Sequence, residues 1–208
     1  MIAVVDYGAG NTRSVLRALA AIGADATLVA TPEGLGAADR VIVPGVGAAP
    51  SAVDALMARG LWEPIRAWGR AGRALLGVCL GAQLLLEGSD EGDAPGLALI
   101  GGRCRAFPAL GAGGPRKVPH IGWNSVELPS GDSFDAYFVH AFWTDADRTA
   151  VAGRTTVEAF TFPSLLRRGA ITGTQFHPEK SGPAGRALLR AFAIGALDGQ
   201  PAEVPAWS

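Results

Sequence analysis

The sequence predicts an α/β protein: a mostly parallel central sheet with flanking helices, followed by a strand-rich second half. Three observations predict it. Up to Gly88, short β-rich apolar runs alternate with helical patterns. Beyond Gly88 the composition shifts to glycine, proline and β-forming segments, and a last helical pattern closes the apolar part of the chain. Finally, 208 residues with 49% apolar content suit one substantial core.

The strand runs of the first half are "IAVVDY" at 2–7, "ATLVA" at 26–30, "RVIVPG" at 40–45 and "ALLGVC" at 74–79. A first helix is expected to start at Asn11, a good capping residue, to bury Val15, Leu16, Leu19 and Ile22, and to end at Gly23. In the second half "LALIGGRCRAF", "HIGWNSVEL", "DAYFVHAFW", "TAVAGRT", "VEAFTF" and "AITGTQF" read as strands. The helix "PAGRALLRAFAIGAL" is expected to pack back on the sheet. Residues 1–197 then form a single domain, and 198–208 a loose tail.

Composition excludes several classes. A net charge of −1 with no basic run longer than two residues leaves no footprint for nucleic acid. No apolar stretch is long enough to cross a bilayer, and Asp6 comes too early for a secretory leader, so a cytoplasmic location with no membrane partner is expected. The two cysteines, Cys79 and Cys104, lack metal-ligand or disulfide spacing, so no metal and no cofactor are expected. "DYGAGNTRS" fails as a dinucleotide fingerprint because Arg13 stands at the third glycine position.

In "GVCLGAQLL" a buried strand must stop and a helix start at Cys79. Gly77 and Gly81 strip side chains from either side, as in the GxSxG nucleophile elbow, and a helix N-terminus stabilises a thiolate. Gln83 lies one turn on, where its amide can reach a ligand over the sulfur. The alternative is a small buried hydrophobe, which is also the reading for Cys104. A cysteine nucleophile needs a base, and of three histidines only His177 has a partner in sequence. Glu179 follows at i+2, the same side of an extended segment favoured before Pro178. His120 and His140 read as satisfied structural histidines that line the site. For an oxyanion, "VIVPGVG" offers peptides freed by Gly45 and Gly47, and the N–H of Leu80 offers a second donor.

Together "PGVG", "GVCLGAQLL" and "TQFHPEKS" resemble the class I triad glutamine amidotransferases. "DYGAGNTRSV", "KVPHIGWN", "YFVHAF" and "HPEKS" resemble, within them, the glutaminase subunits of imidazole glycerol phosphate synthase, from about residue 2 to 195. The resemblance implies a flavodoxin-like fold and hydrolysis of glutamine by Cys79, His177 and Glu179. It implies glutamine contacts from Gly45, Gly47, Gln83, Glu91 and the backbone of His140, Ala141 and Phe142, and an oxyanion N–H from Val46 after a peptide flip. It also implies ammonia transfer to a (β/α)8 barrel cyclase subunit in a heterodimer, across a face including Asn11, Trp123, Phe138 and Lys180. Ala82, Ala141 and Phe142 depart from the family's usual residues. The rival readings are a glutaminase serving another synthase, a stand-alone cysteine hydrolase or peptidase, and a binding module that has lost catalysis.

Overall fold

A computed structural model describes residues 1–8, 10–109, 112–115 and 117–198. The tail expected at 198–208 lies outside the described residues except for Asp198. That residue is tied down by a bidentate pair with Arg40 (2.7 and 2.8 Å), so the anchored part of the chain reaches one residue further than expected.

Nine strands form the main sheet in the order β2-β1-β3-β4-β12-β11-β10-β7-β8. The parallel part is β1 (Ile2–Val5), β2 (Ala26–Val29), β3 (Arg40–Gly45), β4 (Leu75–Cys79) and β12 (Ile171–Thr174). Its 2-1-3-4-5 order is that of flavodoxin-like sheets, with β12 as the fifth strand. The antiparallel extension consists of β7 (His120–Glu127), β8 (Ser133–His140), β10 (Val151–Val157) and β11 (Phe160–Arg168). A small second sheet joins β5 (Gly88–Ser89), β6 (Gly102–Ala106) and β9 (Phe142–Ala146). The segment "DAYFVHAFW", expected as one strand, is therefore two: the chain leaves the main sheet at Ala141 and enters the small one.

Strand alternation sends side chains into two cores. Ala3, Val5, Val41, Val43 and Leu75 face α2 (Pro32–Gly36), α3 (Ala49–Ala58) and α4 (Trp62–Arg70), meeting Leu35, Leu56, Ile65 and Trp68. Ile2, Val4, Ile42, Leu76 and Val78 face α1 (Thr12–Ala21) and α6 (Gly182–Ala193), meeting Val15, Leu19, Leu188 and Phe192. The apolar stripe expected on the first helix is the one buried, with Leu16 and Ile22 packed at its edge. Asn11 occupies the cap position but makes no capping bond; its amide donates instead to Glu179 Oε1 at 3.4 Å. No described helix is long and apolar enough to cross a membrane.

Phe138 is fully buried in the second core, which removes it from any partner-facing surface. The reason is parity. Along β8, Phe134, Ala136, Phe138 and His140 point inward, while Tyr137 between them is partly exposed.

The helix after Cys79, α5 (Leu80–Leu84), is shorter than the apolar run "LGAQLLLE" suggests. Leu97–Ile100, expected as strand, instead donate N–H groups to the carbonyls of Leu84, Leu85 and Leu86, satisfying the helix end. A Cβ at Gly77 would lie 2.6 Å from the Gly81 carbonyl oxygen, and one at Gly81 would overlap the carbonyl of Val43. Gly81→Ala is thus expected to lower unfolding free energy by about 2 kcal/mol. Gly36→Ala, at an exposed helical position with nothing near its added Cβ, should change it by less than about 1 kcal/mol in the stabilising direction. Urea unfolding checks both, and equal midpoints for the two variants would contradict the close-approach account.

Candidate functional site

The carboxyl ends of β3 and β4 open on one cleft of about 220 Å³; His177 and Glu179 lie behind Cys79 and are not part of its lining. Cys79 ends β4 and caps α5 with φ 53° and ψ −106°, a left-handed value that costs a non-glycine residue energy and persists only under packing constraint. It lifts the sulfur into the cleft, whose walls include Val46, Gly47, Leu80, Gln83, Glu91, His140, Ala141 and Phe142. Each of these was expected there. Pro119 and Val139, which lie within "KVPHIGWN" and "YFVHAF" but were not singled out as site residues, complete the lining. Gly45 was also expected to contact the ligand, but it does not line the cleft. A Cβ there would meet Leu80 Cβ at 2.6 Å and the Tyr7 hydroxyl at 3.0 Å, so glycine at 45 serves the packing of α5 beneath the turn.

β12 runs parallel to β4, so the chain leaving it passes beside Cys79. His177 Nδ1 donates to Glu179 Oε1 at 2.8 Å, and both side chains are almost fully buried. The pairing is as expected, but its cause differs: Pro178–Lys180 form a turn of 3₁₀ helix rather than extended chain, and that turn brings the carboxylate under the ring. With Nδ1 committed, Nε2 is left buried without a hydrogen-bond partner. Burial works to lower the imidazole pKa, but the Cys79 sulfur and the Glu179 carboxylate outweigh it and push it up to about 10. The arrangement can hold an imidazolium beside a thiolate and pass a proton between sulfur, ligand and water.

Glu91 lines the cleft and also accepts the N–H of Ala49 at 2.7 Å, capping α3 from another segment. Tyr7 donates its hydroxyl to the Pro44 carbonyl at 2.9 Å. Gln83 donates to the Phe142 carbonyl at 3.0 Å and to Gln175 Oε1 at 3.2 Å.

The other two histidines form a chain with one possible direction. Phe142 O can only accept, so His140 Nδ1, 2.8 Å away, carries the proton. His140 Nε2 then accepts from His120 Nδ1 at 3.0 Å, and His120 Nε2 accepts from Asn124 at 3.3 Å. Ring packing with Phe107, Phe138 and Phe162 encloses the pair. Of the two, His140 lines the cleft. Cys104 is buried, and burial pushes its thiol up to about 12, which leaves it inert as expected. Ala82 faces β12, where a Cβ at Gly173 would meet its methyl at 3.3 Å, so the small residue fits a close contact. No group of side chains among the described residues could hold a metal ion.

Burial drives the pKa of His140 down to about 3 and lowers that of His120. Between pH 6.5 and 3 the unfolded chain therefore binds a proton that native His140 refuses. Its stabilising contribution is full above 6.5 and is lost as pH falls toward 3. In urea titrations at pH 7.5 and 5, the stability advantage of the wild type over His140→Asn is expected to shrink on acidification. Parallel pH profiles would contradict a neutral buried ring.

Residues 3–196 match the family model for class-I glutamine amidotransferases. The chain is 45% identical over 205 residues to a protein of Streptococcus gordonii named imidazole glycerol phosphate synthase subunit HisH, covering 92% of this chain and 95% of that one. It is 42% identical to the protein of the same name from Desulfovibrio desulfuricans, covering 92% and 93%. A solved glutamine amidotransferase superposes with a TM-score of 0.76 at 22% identity, covering 93% of this chain and 98% of that one, a likeness of fold. The chain thus belongs to the class-I glutamine amidotransferases and, among them, to the HisH subunits of imidazole glycerol phosphate synthase, the glutamine-using enzymes of histidine biosynthesis.

Proposed function

We propose that Cys79, His177 and Glu179 hydrolyse glutamine and that the released ammonia passes to a (β/α)8 barrel cyclase subunit in a heterodimer. The observation that carries the triad is the buried 2.8 Å pair of His177 and Glu179 beside the positive-φ turn at Cys79. In this reading the Cys79 thiolate attacks the side-chain amide carbon of glutamine. His177 Nε2 then protonates the amide nitrogen, the C–N bond breaks and ammonia leaves a thioester. Water, giving its proton to His177, attacks that thioester, the C–S bond breaks and glutamate departs. Glu179 holds the ring with Nε2 toward the sulfur and stabilises its charged form.

Leu80 is the first residue of α5, so its N–H has no acceptor within the helix and suits one half of an oxyanion site. Val46 provides the other half once its peptide turns inward. The amino-acid end of glutamine lies against Gly47, Gln83, Glu91 and the chain from His140 to Phe142. At Ala141 and Phe142 the contact comes from backbone alone, since neither side chain carries a hydroxyl.

The partner receives ammonia and closes imidazole glycerol phosphate, releasing an aminoimidazole carboxamide ribotide. Exposed apolar residues support a docking face at the cleft rim: Val46 is 41% exposed, Val118 46%, Ile121 53% and Trp123 59%. Lys180 is exposed and forms no ion pair among the described residues, which leaves its ammonium for a partner carboxylate. Asn11, partly exposed just before α1, is assigned to the same face.

Cys79→Ala is expected to cut glutamate release by the reconstituted pair at least ~10³-fold, with synthesis from added ammonium salt retained. Glutamate release equal to wild type would remove the assignment. Trp123→Ala should weaken partner binding roughly tenfold in titration calorimetry, whereas an unchanged affinity would exclude this face.

A further inference from the structure

Gln175 is a buried polar side chain beside the Cys79 sulfur that the triad leaves without a role. It follows β12, is 1% exposed, and its amide nitrogen sits 3.8 Å from Cys79 Sγ. Which end of an amide faces a neighbour is set by its hydrogen-bond partners, and here they allow one solution. The Phe142 carbonyl can only accept, so Gln83 must turn its NH2 toward it, as His140 turns Nδ1–H. The same nitrogen of Gln83 faces Gln175 at 3.2 Å, so Gln175 must answer with its oxygen. Its NH2 is thereby directed at the sulfur.

The carbonyl of Val139 also lies 3.8 Å from the sulfur. That oxygen accepts from a thiol and repels a thiolate. The Gln175 N–H does the reverse, because a donor to an anion makes a stronger bond than a donor to a neutral acceptor. The two groups therefore favour opposite protonation states of the same sulfur.

We propose that Gln175 is a further catalytic residue of the glutaminase reaction, an N–H donor that favours the Cys79 thiolate and is locked in that orientation through Gln83 by the Phe142 carbonyl. The donor also steadies the sulfur when it leaves as a thiolate in thioester hydrolysis. This inference rests on Cys79 being the nucleophile.

The test is the pH dependence of Cys79 alkylation by iodoacetamide in the full chain, read by site-resolved mass spectrometry to separate it from Cys104. The titratable groups around the sulfur are His177 and Glu179 after β12, Tyr7 after β1, His140 on β8, Cys104 on β6 and Glu91 before it; all are unchanged in the variants. Gln175→Met keeps length and loses the donor. It is expected to raise the midpoint of alkylation by about one pH unit, which is about tenfold slower labelling below the midpoint. Gln175→Glu, which turns an acceptor to the sulfur, should raise it further. A Gln175→Met profile superimposable on wild type, in a variant that melts cooperatively, overturns the proposal. Should that variant fail to fold, Gln83→Met decides: freeing the Gln175 amide to rotate must move the midpoint upward, and an unmoved midpoint overturns the lock and the donor together. Failure of the nucleophile assignment reads out separately, as undiminished glutamate release by Cys79→Ala.

Discussion

The site exists because α5 lies almost in contact with the backbone of β3 and β4. Glycine at 45, 77 and 81 is the condition for that approach: a single Cβ at any of the three would press on backbone or Cβ atoms of the opposing element. The short distance leaves the chain no room for an ordinary strand-to-helix connection, and Cys79 takes up the difference with its positive φ. The energy of that conformation is balanced by the buried leucines of α5, Leu80 and Leu84, in the core shared with Val43 and Leu75. A sulfur on a strained residue between packed elements cannot drift. Every other feature of the cleft is arranged around it.

Three histidines with the same intrinsic affinity for a proton are driven apart by their surroundings. His177 has an anionic oxygen on one nitrogen and a sulfur beside the other, so despite burial its affinity for a proton rises. His140 has a carbonyl on one nitrogen and a neutral imidazole on the other, so burial prevails and its affinity falls. One ring is equipped to carry charge and the other to refuse it. The neutral pair serves instead as a rigid hydrogen-bonded strut running from Asn124 to Phe142 O, the carbonyl from which Gln83 takes its orientation. With charge confined to His177, the adjoining strut keeps one set of donors and acceptors whatever the protonation state of that ring.

Much of this was legible in residue order. The four strands of the parallel half other than β12 fell where alternation of apolar and helical patterns put them, and Cys79 was marked by flanking glycines whose purpose the fold bears out. His177 was marked by Glu179, although a 3₁₀ turn rather than an extended chain makes the pairing. What could not be read depends on distant segments. Phe138 carried no sign of its inward face, because the register of β8 against β7 and the core decides parity. Gly45 sits in a motif of peptide freedom, yet its necessity comes from Leu80 and Tyr7. Gln175 stands two residues before His177 in a strand-like run, and only the fold brings Gln83 and the sulfur to it. The end of α5 was set by residues 97–100, which no helix propensity foretells.

The segments around Cys79 are not held equally. The segment bearing His177 and Glu179 is stitched to β8: His177 N–H donates to the Tyr137 carbonyl at 2.9 Å, Tyr137 N–H to Ser181 Oγ at 3.0 Å, and Ser181 Oγ–H to the His177 carbonyl at 2.6 Å. The Tyr137 ring lies against the exposed Trp123 and under Lys180, so the outer face of β7 and β8 and His177 on their inner side form one framework. Across the cleft the turn after β3 is held at its ends, by the pairing of Gly45 with Cys79, by Tyr7 on the Pro44 carbonyl and by Glu91 on the Ala49 N–H. Between them the N–H groups of Val46 and Gly47 donate no backbone hydrogen bond among the described residues, Gly47 sits at φ 96°, and no atom lies within 4 Å of where its Cβ would be. Reorienting a peptide there breaks no bond of the framework, whereas moving the segment from His177 to Ser181 would break three. A change of peptide orientation at this cleft is therefore most easily taken up by the Val46 turn, with the segment of His177 and Glu179 as the fixed member.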